Sequence, residues 1–238
     1  MTIERDDAGT DGPAPVADAV VDPLLGGESR WPPVVAVLVY MAFNITLRVW
    51  LPTESFLHIP WLLPSVEAVL VVVLVTSDPS GAEERRRLRR VALTLVCLLV
   101  VAALWATGLL IADLIRGQGV ANDASELLAE GAVVWLGNNL AFALLYWLMD
   151  GGGPVARTRL TVPVDLAFTQ HMNPELATPG WRPVFLDYLH LGFTNATAFS
   201  PTDVMPLTHR AKLAMVLQST LALALFGLVV ARAVNAFT

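Results

Sequence analysis

The stretch Asp187–Lys212, DYLHLGFTNATAFSPTDVMPLTHRAK, is the one polar, helix-forming passage of this chain that runs straight into a long apolar segment. Its first eleven residues, Asp187 to Thr197, mix Leu189, Leu191, Phe193 and Ala196 with Asn195, threonine and histidine. Eleven residues make a helix of about 16 Å at 1.5 Å per residue, half of the ~30 Å core of a bilayer. Pro201 then disfavours helical geometry at Ser200. The run from about Leu213 to Asn235 is long and apolar enough to cross a membrane. A half-length helix, a breaker and a full span describe a re-entrant loop. Non-helical backbone is tolerated at membrane depth only where protein or a water-filled cavity surrounds it. Thr194, Asn195, Thr197, Ser200 and Thr202 therefore either line a pore or satisfy one another inside a closed bundle.

Outward from this stretch, 55% of the 238 residues are hydrophobic, and the mean hydropathy is +0.60. The excess falls in blocks of about 20 residues, the length of a transmembrane helix. These blocks are continuous Leu/Val/Ala runs, which select helices over the short alternating segments of a membrane barrel. The expected fold is an all-α polytopic membrane protein of about five transmembrane helices, with one re-entrant half-helix before the last. The net charge of −6 comes mostly from acids outside the spans. No basic patch interleaved with aromatics suggests nucleic acid, so the expected partner is the lipid bilayer. Cys97 is the only cysteine and lies in an apolar run. A disulfide or thiolate metal site within one chain is thereby excluded, and Cys97 reads as a small buried hydrophobe.

Residues 1–30 are acidic and rich in Pro, Gly and Ala, without the basic start and apolar centre of a signal peptide. They read as a disordered tail. Residues 31–150 hold four spans, at about Pro33–Leu51, Trp61–Thr76, Val91–Ile115 and Leu127–Met149. Arg48 and Glu67 lie in the halves of the first two that face their shared turn, so an intramembrane Arg48–Glu67 pair is expected. Arg85, Arg86, Arg87, Arg89 and Arg90 precede the third span and mark its cytoplasmic end. Asn138 and Asn139 point about 100° apart on the fourth helix, so at least one faces another helix rather than lipid.

Residues 151–181 form a Pro-rich connector whose scattered apolar residues and Trp181 suggest that it lies on the membrane surface. His171, Asp165 and Glu175 are irregularly spaced and make a poor metal site. No phosphate loop, dinucleotide fingerprint, HExxH or GxSxG occurs. No metal, no cofactor and no enzymatic activity is expected.

Residues 182–238 carry a resemblance. Asp187 and Leu189 open the half-helix, Asp203 follows Asp187 by 16 positions, and Pro206, Thr208 and Lys212 lead into the last span. This resembles the pore helix, selectivity filter and inner helix of the two-transmembrane potassium channels, over Asp187 to Phe237. It implies a homo-oligomer, a tetramer by analogy with that family, built around the re-entrant loop. The filter departs from the family pattern: Ala198-Phe199-Ser200-Pro201-Thr202 stands where the family has Thr-Val-Gly-Tyr-Gly. Stacked filter carbonyls need the backbone freedom of glycine, and Pro201 has a fixed φ and no amide. The resemblance thus implies conduction that is not potassium-selective. Asp203 either sits at the mouth of the pore, where a ring of carboxylates favours cations, or caps the last helix.

With the tail inside, twelve Lys and Arg residues fall on the cytoplasmic side and three outside. This bias places the loop on the cytoplasmic side and the C-terminus outside, whereas the resemblance implies the reverse. The reading of the sequence is a multi-pass protein of the cell membrane with an ion-channel-like pore module. The alternative is a non-conducting membrane protein that keeps the hairpin for packing or for binding a partner.

Overall fold

The computed structural model describes residues 28–29, 31–50, 62–76, 82–116, 124–157, 163–197 and 203–236. Along the chain come α1 (Trp31–Trp50), α2 (Leu62–Thr76), α3 (Ala82–Arg116), α4 (Ala124–Met149), α5 (Pro154–Arg157), β1 (Leu166–Phe168), α6 (Thr169–Met172), α7 (Phe185–Thr197), β2 (Val204–Pro206) and α8 (His209–Ala236). The fold is all-α apart from one ribbon, in which β1 and β2 pair antiparallel with Ala167 opposite Met205.

The helix α4 is the axis of the molecule and packs against α1, α3, α7 and α8. From Asn138 to Asp150 every residue but Leu145 is buried, as expected of a helix that is apolar all round. The main core gathers Phe142, Leu144, Tyr146 and Trp147 from this helix with Val96 and Leu99 of α3, Phe185, Tyr188 and Leu191 of α7, and Ala211 of α8. In contrast, α8 turns Leu213, Val216, Leu217, Leu223, Phe226 and Val230 outward, and α3 does the same with Leu98, Val101 and Trp105. Outward stripes of this size belong against lipid. Three helical segments, Arg86–Ala112, Leu128–Arg157 and His209–Ala231, are long and apolar enough to span a membrane. Trp31–Ala42 and Pro64–Thr76 are shorter apolar helices.

Two sequence expectations change here, those for Cys97 and for the capping of α8. Cys97 faces outward on α3 rather than into the core, because the inward stripe of that helix is taken by Val96, Leu99, Val100 and Ala103. Within the connector 151–181, Leu166 and Phe168 join the main core and Trp181 stacks edge-on against Phe168 and His171, while Met172 and Leu176 stay exposed. Pairing β1 with β2 gives the connector's backbone the partners it would otherwise lack. Finally, α8 is capped by Thr208, whose hydroxyl accepts from Ala211 N at 3.4 Å and whose carbonyl accepts from Lys212 N at 3.0 Å. Asp203 lies six positions before the first helical residue, too far to cap it.

Candidate functional site

The helix α7 is anchored at its start by two carboxylates. Asp187 reaches back to accept from Val184 N at 2.7 Å, the backward half of a capping box. Glu28, from the N-terminal region, accepts from Phe185 N at 2.5 Å and from Trp147 Nε1 at 2.9 Å. Its second oxygen is 3.5 Å from Arg157. Burial pushes the Glu28 carboxyl up, against the bond from Trp147 and the charge of Arg157.

Beside this start lies a knot of charged groups. The chain leaves α4 through Gly151, Gly152 and Gly153, all in the left-handed region at φ 54°, 82° and 93°. A side chain at Gly151 would also meet Arg157 Cγ at 2.8 Å. This turn delivers Asp150, fully buried, to the backbone of the connector. Its Oδ1 accepts from Asp165 N at 2.7 Å and Leu166 N at 3.1 Å, and its Oδ2 from the Tyr188 hydroxyl at 2.6 Å. Asp165, equally buried, accepts from Arg210 Nε at 2.7 Å and Arg210 Nη2 at 2.6 Å, a bidentate pair. It also accepts from the Thr208 hydroxyl at 2.7 Å and Gly151 N at 3.1 Å. Burial alone would raise the Asp165 carboxyl; the bonds from Arg210, Thr208 and Gly151 outweigh it and hold the group below the usual aspartate range. Arg157 closes the knot by donating to Trp147 O at 2.6 Å and lying 4.9 Å over the Tyr188 ring. One knot therefore ties together the end of α4, the connector and the starts of α7 and α8.

The far end of α7 is held by neutral groups. Asn195 Nδ2 donates to Met215 O at 3.0 Å and to Gln218 Oε1 at 2.8 Å. The same Gln218 oxygen accepts from the Tyr146 hydroxyl at 2.8 Å. Gln218 Nε2 donates to Gly192 O at 2.8 Å and Asn139 Oδ1 at 3.4 Å. All four hydrogen-bonding positions of this amide are filled. Glycine at position 192 permits the approach, since a side chain there would stand 3.1 Å from Asn139 O. The neighbouring Asn138 donates to the Thr107 hydroxyl at 2.8 Å and so ties α4 to α3.

Of the residues singled out in the sequence, Asn195 is thus committed to α8. Thr194 and Thr197 donate to their own helix, to His190 O and Phe193 O, both at 2.9 Å, and Thr197 is exposed. Asp203 is exposed as well. Ala198, Phe199, Ser200, Pro201 and Thr202 lie outside the described residues. So does the side chain of Arg48, and with it the expected pair. Glu67 is fully buried, beside a small cavity lined by Val37, Tyr40, Leu99, Ala103, Gly137 and Leu140. His171 Nδ1 accepts from Phe168 N at 3.3 Å, and burial holds its imidazole below the ordinary histidine range. Among the described residues no three His, Cys, Asp or Glu side chains gather to hold a metal.

Sequence reasoning missed the Asp150–Tyr188 and Asp165–Arg210 contacts. One signal for the first was available: an acid at the end of a span, followed by three glycines that bend the chain back over it. Compared with known families, curated proteins and solved structures, the chain matches none.

Proposed function

We propose that this is a five-span protein of the cell membrane whose α7, residues 198–203 and α8 form a re-entrant, pore-type hairpin. Several copies of the chain, four on the potassium-channel resemblance, would surround that hairpin and conduct ions without potassium selectivity. One observation carries the reading. Asn195 near the end of α7 is bonded to Met215 and Gln218, six and nine positions into α8. At 1.5 Å per residue these sit about 9–14 Å along α8, so α7 runs inward from the charged knot and stops at depth. The six residues 198–203 reach at most ~20 Å when extended, enough to climb back to β2. The C-terminal carbonyls of α7 carry partial negative charge at that depth, which favours cations in the segment that follows.

The basic bias puts the mouth of the hairpin on the cytoplasmic side. Consistent with one shared side, Arg89 at the start of α3 lies over Gly153: a side chain there would meet Arg89 Nε at 3.2 Å.

A second reading has its own support. Asn195, Gln218, Tyr146 and Asn139 are bonded within one chain, which suits a packing or partner-binding module that conducts nothing. Purified protein in liposomes separates the two. The pore reading expects cation flux above protein-free vesicles, and reaction of cysteines at Thr197, Ser200 and Thr202 with water-soluble thiol reagents once Cys97 is replaced. No flux and inert cysteines at all three positions would leave the packing module.

A further inference from the structure

Of the cluster that opens α3, Arg89 reaches Gly153, whereas Arg87 and Arg90, also exposed, lie on a different face of the helix. They line an open groove of about 380 Å³ together with Val91, Thr94 and Leu95. Positions 87, 90, 91, 94 and 95 fall on one face of a helix, spaced as i, i+3, i+4, i+7 and i+8. This face is cationic for its first turn and nearly apolar for the next. The Thr94 hydroxyl does not change that, because it is spent on Arg90 O at 2.9 Å. Glu83 and Glu84 lie one turn earlier, but five arginines between 85 and 90 outweigh them. From Arg87 to Leu95 the face descends about 12 Å, enough to pass the roughly 5–8 Å headgroup layer of one leaflet and enter the acyl region.

We infer that this face of α3 is a binding site for an acidic phospholipid, with the phosphate between Arg87 and Arg90 and an acyl chain along Val91 and Leu95. The charge selects the occupant, since two guanidiniums call for a phosphate. The apolar floor selects a lipid over a free anion, which would leave Val91 and Leu95 uncovered. The site is independent of whether the hairpin conducts.

The test uses full-length protein in an uncharged detergent, titrated with phosphatidylglycerol, phosphatidylcholine or inorganic phosphate. Bound lipid is read by native mass spectrometry and protection by thermal unfolding. Phosphatidylglycerol should bind and protect, and the other two should not. The Arg87→Gln/Arg90→Gln variant should unfold at the parent's temperature without lipid, as both side chains are exposed, yet bind phosphatidylglycerol roughly 10–30-fold more weakly. Arg87→Lys/Arg90→Lys, which keeps both charges, should retain most of the binding. Equal binding of phosphatidylglycerol by the glutamine variant and the parent would overturn the site. So would a parent that does not distinguish the two lipids. Protection by phosphate alone to the same extent would assign the arginines to a free anion and overturn the lipid.

Discussion

At its base the α7–α8 hairpin is held by charges, and two to three turns deeper it is held by neutral amides. The base has Asp150, Asp165, Glu28, Arg157 and Arg210; the deep end has Asn195, Gln218, Tyr146 and Asn139. Both sets bury polar atoms and both are bonded, so satisfaction alone does not distinguish them. The cost of desolvation does. An ion moved into a low-dielectric interior loses several kcal/mol even after relaxation, whereas an amide can be compensated by neutral partners. Charge is therefore confined to the end where Arg210, with 57% of its side chain exposed, reaches the protein surface. The same chain solves one problem, fixing the short α7 against the long α8, in two ways.

Breaking the base should have the largest effect. Asp165→Ala leaves Arg210, the Thr208 hydroxyl and Gly151 N without their acceptor. Loss of one partner of a buried ion pair costs about 3–5 kcal/mol. The exposure of Arg210 argues for the lower end, about 3 kcal/mol, read as denaturant unfolding in micelles. Arg210→Gln should cost less, because Asp165 keeps its two other donors. The pH dependence follows from the lowered carboxyl. Stability contributed by Asp165 is present above the ordinary aspartate value of 3.8 and is lost as pH falls below it through the folded-state value. Asp165→Asn should flatten that acid limb. Glu28 has the opposite sign, its pKa being raised from 4.5: its contribution is full below that value and lost as pH rises through the folded-state one. Glu28→Gln should therefore make the protein less sensitive above pH 4.5. An acid limb unchanged in Asp165→Asn would show that the base is not held by this charge.

Breaking the deep end should cost less. Gln218→Leu strands the Tyr146 hydroxyl, while Asn195 keeps its bond to Met215 O, at about 1–3 kcal/mol for the one buried group left unsatisfied. The coupling between Asn195→Ala and Gln218→Ala should be about 0.6–1.7 kcal/mol, the range of hydrogen bonds between membrane helices. Additive losses would mean that the two side chains do not meet. Thiol chemistry sharpens the comparison further. A cysteine at Asn195 faces Gln218 and should stay inert, while one at Thr197, two positions on and exposed, should react. Reaction at both positions would place Asn195 in water and remove the deep anchor.

The two regions were not equally legible in the sequence. The helices were, since length and continuous apolarity are local properties; α4 was expected to end at Met149 and does. The role of Asn139 was half legible: adjacent asparagines must point apart, but Gln218, 79 positions away, cannot be read as its partner. Asp165 drew attention as an acid near His171, and its true partner Arg210 lies 45 positions on. Periodicity says that a residue is buried, and pairing depends on which helices the turns bring together. The outward position of Cys97 was illegible for another reason. In a helix that is apolar on every side, composition does not say which face meets lipid.

The smallest expected effect on stability belongs to Asp203, and it is the one that bears most on function. Asp203 is exposed, stands six positions before α8, and leaves the capping of that helix to Thr208. Asp203→Asn should therefore change unfolding by no more than about 0.5 kcal/mol, the range of surface substitutions away from special features. Flux is a separate matter. If Asp203 rings the mouth of a pore, its charge raises the local concentration of cations, and the asparagine should lower cation flux while the protein stays as stable as before. That reduction should be greatest at low salt and shrink as the Debye length falls from about 10 Å at 0.1 M to 3 Å at 1 M. A loss of flux that ignores salt would point to altered assembly. Flux that is present and identical in the two proteins at low salt would remove Asp203 from the ion path, leaving residues 198–202 as the remaining candidates for its lining.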